Sequence, residues 1–145
     1  MLRHEDGQSP VTSETADIVR PPSAHMDDHD WEKLPVELKT GCRHVAWCWQ
    51  WRSKWTKPPI DPETGDEIDA TDPDNWLDPD EARERARRHG DGIGYALGTR
   101  ENPSGLIPVD WDSCIAPDGT IDPFVDHWIR RLDSYTERTP GGTGL

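Results

Sequence analysis

Residues 44–51 read HVAWCWQW, and large apolar side chains fall on every second position. Val45, Trp47, Trp49 and Trp51 would share one side of an extended chain, with His44, Ala46, Cys48 and Gln50 on the other. The alternation predicts a strand through all eight residues. With eight tryptophans and a single phenylalanine in 145 residues, indoles must supply much of the core, so the tryptophan side is expected to lie under a helix. A row of open indoles would instead suit stacking on single-stranded nucleic acid.

On the N-terminal side, residues 1–29 are polar, contain Pro21 and Pro22, and have too few large apolar side chains to offset the entropy of ordering. They are expected to form a flexible acidic arm, in which His25, Asp27, Asp28, His29 and Asp30 are solvated rather than bound to metal. The folded unit is expected over residues 30–145. WEKLPVELK then suggests a short helical turn with Leu34 and Leu38 on one face.

After the strand, Arg52, Lys54 and Lys57 form a basic tip, suited to phosphate contact or simply to solvation. Asp-Pro pairs and Gly65 mark turns as far as Asn75. Asp78 as N-cap, Pro79 at the first helical position and Glu81 three residues after the cap open a helix that stops at Gly90. Arginines gather near its C-terminus, where they suit the helix dipole. GIGYALG, residues 92–98, reads as a glycine-punctuated strand without the spacing of a dinucleotide-binding loop. Asp122 and Pro123 open a second helix, whose Phe124, Val125, Trp128, Ile129 and Leu132 recur at helical spacing and should pack on the sheet. Residues 134–145 read as a strand running into glycine-rich backbone.

Composition narrows the function. A hydrophobic fraction of 32% and a mean hydropathy of −0.93 leave one domain with a modest core. The net charge is −13, with 4 lysines against 12 arginines. A surface this acidic argues against nucleic-acid binding, and a second explanation is a protein of a salt-rich, halophilic cytoplasm. Three cysteines form no disulfide framework, and no apolar run would make a signal peptide or membrane span, so a reducing cytoplasm is expected. Cys42, His44 and Cys48 lack paired zinc-ligand spacing and are expected to be buried thiols and a strand-edge histidine.

The chemistry-bearing stretch is residues 105–114, GLIPVDWDSC. In a strand, Asp110 and Asp112 would project to one side and Trp111 to the other, with the two α-carbons roughly 6.5–7 Å apart. Both carboxylates could then converge on one or two divalent cations. The alternative is a strand end followed by turn residues. A two-carboxylate sugar hydrolase needs acids about 5–9 Å apart with divergent pKa values, and an adjacent pair suits shared metal better.

LPVELK, HVAWCW, KWTKPPIDPETG, ATDPDNW, DGIGYALG, GLIPVDWDSC, PDGTIDPFVDHWI and RLDSYTERTPGGTGL occur in that order. Together they resemble the bifunctional primase-polymerase N-terminal domain of the archaeo-eukaryotic primase superfamily, found in replication proteins of viruses and plasmids. The resemblance covers roughly Trp31 to Leu145. It implies an α/β fold of the α+β type, a mixed sheet with flanking helices. It also implies that Asp110 and Asp112 bind Mg2+ or Mn2+ for nucleotidyl transfer from nucleoside triphosphates on a DNA template, with a replicative helicase as a candidate partner and no membrane association. Lys57, Gly142, Thr143 and Gly144 become candidates for nucleotide or template contact. Gly141 stands where the family often has serine, and the chain stops before the histidine and third acid of the later motifs. A truncated chain, weak or inactive alone, is therefore expected. The second reading is a non-catalytic module that binds single-stranded nucleic acid or a replication partner.

Overall fold

The computed structural model describes residues 19–145. Its helices are α1 (Asp28–Lys33), α2 (Val36–Lys39), α3 (Pro79–His89) and α4 (Pro123–Leu132), and its strands are β1 (His44–Trp47), β2 (Gln50–Trp51), β3 (Trp55–Thr56), β4 (Pro59–Ile60) and β5 (Gly92–Tyr95). The strands form a three-stranded sheet of order β4-β1-β5 and a separate β2–β3 ribbon, every pair antiparallel. This is the expected α+β class. Among the described residues no helix is long and apolar enough to cross a membrane.

The strand expected over residues 44–51 breaks after Trp47. β1 is buried throughout, between β4 and β5 and against α3. Beyond it, the Trp49 amide donates to the Asp91 carboxylate (2.8 Å), so a side chain takes the place of a ladder carbonyl and the chain restarts as β2. Trp47 and Trp49 are buried edge-to-face, with centroids 5.3 Å apart, whereas Trp51 is 47% exposed. The tryptophan side is thus split between core and solvent. Gly92 is required where β5 passes Trp47, because a Cβ there would lie 2.5 Å from the indole.

Asp91 joins α3 to β5 and is 2% exposed. It accepts from Arg20 (2.5 Å), Ser23 (2.5 Å) and the Trp49 amide, and its carbonyl accepts from the Ala24 amide (2.6 Å). Burial alone would raise its pKa; the hydrogen bonds from Ser23 and Trp49 and the Arg20 charge outweigh that and hold it below the usual carboxylate range. Of the arm expected over residues 1–29, residues 1–18 lie outside the described residues. Residues 20–24 are tied to the sheet through Asp91, and Asp27 caps α1. Ordered contacts therefore start before Trp31.

The helix boundaries follow local capping chemistry. Asp78 accepts from the Asp80 and Glu81 amides (3.0 Å each) and starts α3 at Pro79, while Asp122 does the same for α4. Ala82 and Ala86 let α3 lie close on β1 and β5. Arg83 stacks over Trp31 (4.6 Å) and pairs with Asp28 (2.5 Å), docking α1 on α3. Pro35 separates α1 from α2.

The apolar core forms two clusters. One unites Ala46, Ile60 and Ala86 with Cys48 and Ile93; the other unites Cys114, Ile115 and Val125 with Trp111, Ile121, Ile129 and Leu145. The expectation that α4 packs on the sheet is therefore corrected: Val125 and Ile129 pack on residues 111–121 and on Leu145. Phe124, Trp128 and Leu132, on the same apolar stripe, remain 65%, 37% and 50% exposed. The expected burial of the thiols also divides, with Cys42 exposed, Cys48 half-buried and Cys114 buried.

His44 is buried rather than at an open strand edge. Its Nε2 lies 2.9 Å from the Leu38 carbonyl oxygen and its ring meets Tyr95 edge-on at 5.4 Å. Burial holds its pKa below the usual imidazole value of 6.5, against the opposing pull of the Leu38 carbonyl and Asp78. Below that pH the unfolded chain takes up a proton that the folded chain resists, so stability falls as the solution is acidified. Denaturation midpoints should decline as the pH falls below about 6.5, and His44→Phe should flatten that decline; equal slopes would exclude this role.

Asp91→Ala should cost about 2–4 kcal/mol in urea denaturation, because it strands the buried Trp49 amide and removes three hydrogen bonds. Arg20→Ala, at a half-exposed side chain, should cost less than about 1 kcal/mol. Equal losses in the two variants would contradict a hub at Asp91.

Candidate functional site

After β5 the chain doubles back through a small loop. Gly98 bridges Pro103, and the Ser104 amide donates to the Leu97 carbonyl (2.9 Å). Gly105, at φ +80°, then turns the chain away from β5. Residues 105–114 contain no strand and form no hairpin with β5, which pairs with β1. Pro108 lacks an amide donor, and the glycine turn directs the segment off the sheet edge.

The acidic segment is held instead by the C-terminal tail. The Trp111 amide donates to the Leu145 carbonyl (3.0 Å) and the Leu145 amide donates back (3.1 Å), while the Ile115 amide donates to the Thr143 carbonyl (2.9 Å). Between them Ser113 adopts φ +53° and closes a turn. Trp111 is half-buried in the second apolar cluster, and Asp110 and Asp112 on either side of it are exposed. Neither carboxylate has an ion-pair partner among the described residues.

The tail expected to be strand-like is a closed loop. Thr139 donates its amide to the Gly144 carbonyl (3.0 Å), and its hydroxyl accepts from the Gly144 amide (3.2 Å). Gly142 sits at φ +78°, donating to the Thr139 carbonyl (2.8 Å). A Cβ on Gly144 would come within 2.9 Å of the Trp111 carbonyl. Backbone hydrogen bonds thus bring Gly142, Thr143 and Gly144 alongside the segment carrying Asp110 and Asp112. Lys57 belongs to a different surface, its Nζ 5.8 Å from the centre of the Trp49 ring.

Carboxylate oxygens are the donors that magnesium and manganese prefer, and magnesium is commonly held by one or two carboxylates together with substrate phosphates. Asp110 and Asp112 suit that mode. They do not make a self-sufficient metal cage, since among the described residues no three His, Cys, Asp or Glu side chains cluster in a way that could hold an ion. Cys42, His44 and Cys48 form no such group either.

Sequence reasoning missed two features. Asp91 lies between Gly90 and Gly92, where nothing local marks its partners. An open hollow of about 510 Å³ lies between α2 and the loop entering the acidic segment, walled by Arg43, Trp76, Tyr95, Asn102 and Ser104. Arg43 stacks over Trp76 (4.7 Å) and bonds Asn102 Oδ1 (2.6 Å).

An α+β chain that presents two adjacent carboxylates beside a glycine-rich backbone loop matches no protein-family profile. Over 110 residues, 74% of its length, it is 30% identical to a DNA primase-polymerase of Nitratiruptor phage NrS-1. The chain spans 15% of that protein's length. This similarity supports a relationship to the primase-polymerase family.

Gly144→Ala should displace the tail from Trp111. The expected result is a loss of about 1–3 kcal/mol from the crowded contact, with faster hydrogen exchange at the Trp111 and Leu145 amides. Unchanged exchange at both would mean that the tail does not hold the segment.

Proposed function

We propose that the chain carries the metal-binding part of a template-directed nucleotidyl transferase, acting in DNA replication on nucleoside triphosphates. The observation that carries this reading is the exposed Asp110–Trp111–Asp112 segment, anchored through Trp111 while its carboxylates have no ion-pair partner among the described residues, in a chain similar to a DNA primase-polymerase. Anchoring through the central tryptophan fixes the backbone without consuming either acid. Bound Mg2+ or Mn2+ would lower the pKa of the attacking 3′ hydroxyl and neutralise charge at the transferring phosphoryl group. Asp110 and Asp112 would hold the ion and orient it. Gly142, Thr143 and Gly144 would be the backbone candidates for triphosphate contact, with Gly142 and Thr143 exposed and Gly144 buried against Trp111. A cationic group for that triphosphate is not among the residues gathered here, so full transition-state stabilisation requires another contributor.

The reading predicts saturable Mn2+ binding that strengthens when a deoxynucleoside triphosphate is present, measured by electron paramagnetic resonance. Asp110→Asn combined with Asp112→Asn should weaken it at least tenfold without lowering the melting temperature, because both side chains are exposed. Nucleotide incorporation on a primed template should fall in parallel. Mn2+ binding that ignores both substitutions would remove the basis for the proposal.

A further inference from the structure

The β2–β3 ribbon stands out in so acidic a chain. Residues 44–60 include Arg52, Lys54 and Lys57 and contain no Asp or Glu. Gln50 pairs with Thr56 and Trp51 with Trp55, so the two indoles oppose each other across the ribbon, edge-to-face at 5.6 Å. Trp51 is 47% exposed, an unusual position for an indole when Trp31, Trp47 and Trp49 of the same chain are all below 9%. Ser53, at φ +60°, makes the tight tip, and the Arg52 amide donates to the Lys54 carbonyl (2.8 Å).

The surrounding cations differ in what holds them. The α3 arginines are engaged: Arg83 and Arg87 with Asp28, Arg85 with Glu81 and Glu63, and Arg88 with Glu84. Arg52 pairs with Glu67. Lys54 and Lys57 have no ion-pair partner among the described residues, and Lys57 lies on the indole side, over Trp49. The ribbon therefore carries an exposed aromatic ring at Trp51 and, in the same short stretch of chain, Lys54 beside the tip and Lys57 just after β3, both without an ion-pair partner among the described residues.

We infer that this ribbon is a docking surface for single-stranded nucleic acid, with Trp51 stacking on a base and Lys54 and Lys57 meeting flanking phosphates. An aromatic platform beside unpaired cations is the pairing of groups that a flexible polyanion with planar bases requires. An acidic peptide would satisfy the lysines but would leave the indole without a planar partner. The ribbon shares no residue with the Asp110–Asp112 segment, although the choice of partner rests on the nucleic-acid reading above. The protein's overall negative charge opposes the approach, so binding should be steeply salt-dependent and carried by the local patch.

The experiment measures binding of the intact chain to a fluorescein-labelled oligothymidylate in EDTA by fluorescence anisotropy, across a series of salt concentrations. Trp51→Ala should weaken binding about tenfold, the loss of one base stack. Lys54→Ala with Lys57→Ala should reduce the slope of log K against log salt by about 1.4, the loss of two phosphate contacts. Trp51→Phe should recover part of the affinity, and circular dichroism should confirm that each variant is folded. The proposal is overturned if wild type does not bind, if folded Trp51→Ala binds as wild type does, or if polyglutamate competes as well as unlabelled oligonucleotide. Asp110→Asn with Asp112→Asn should leave oligonucleotide binding intact in EDTA. Loss of strand binding with Mn2+ uptake retained would therefore refute the ribbon alone, and the reverse would refute only the metal site.

Discussion

A single buried carboxylate sets the geometry of the sheet. Asp91 neutralises Arg20, binds Ser23 and receives the Trp49 amide. One side chain thereby closes the N-terminal segment onto β5, ends β1 and redirects the chain into the β2–β3 ribbon. A charge this deep is tolerated because several donors surround it, and the Ser23 hydroxyl and the Trp49 amide still serve it where the half-exposed Arg20 does not. The exposure of Trp51 follows from the same interaction, since the strand would otherwise have continued along the sheet.

Much of this architecture was legible where its causes are local. The starts of α3 and α4 are written in Asp78-Pro79 and Asp122-Pro123, because cap and first-turn geometry involve neighbours in sequence. At 110–112 no strand forms, yet Trp111 is half-buried among apolar neighbours while Asp110 and Asp112 are exposed. Features caused by distant partners were not legible. The break after Trp47 depends on an acid 42 residues from Trp49, and the anchoring of Trp111 depends on Leu145. The same holds for α4, whose apolar face predicted burial correctly at Val125 but could not reveal that Cys114 and Ile115, rather than the sheet, would cover it.

The two apolar clusters divide the labour of the chain. The sheet cluster around Ala46 and Ala86 builds the scaffold that carries the ribbon, and the cluster around Ile115 and Val125 braces the acidic segment. Trp111 takes part in the second cluster through its indole and in the tail contact through its backbone. The acids it separates thus gain a fixed backbone while their own oxygens stay uncommitted.

The stretch leading to those acids has a consequence of its own. Ile107 is 91% and Val109 51% exposed, and the amides of Ile107, Val109 and Asp110 have no backbone partner among the described residues. Apolar backbone with open amides of this kind is a template onto which a strand can be added. A covering strand there would hide the two aliphatic side chains and stiffen the approach to Asp110.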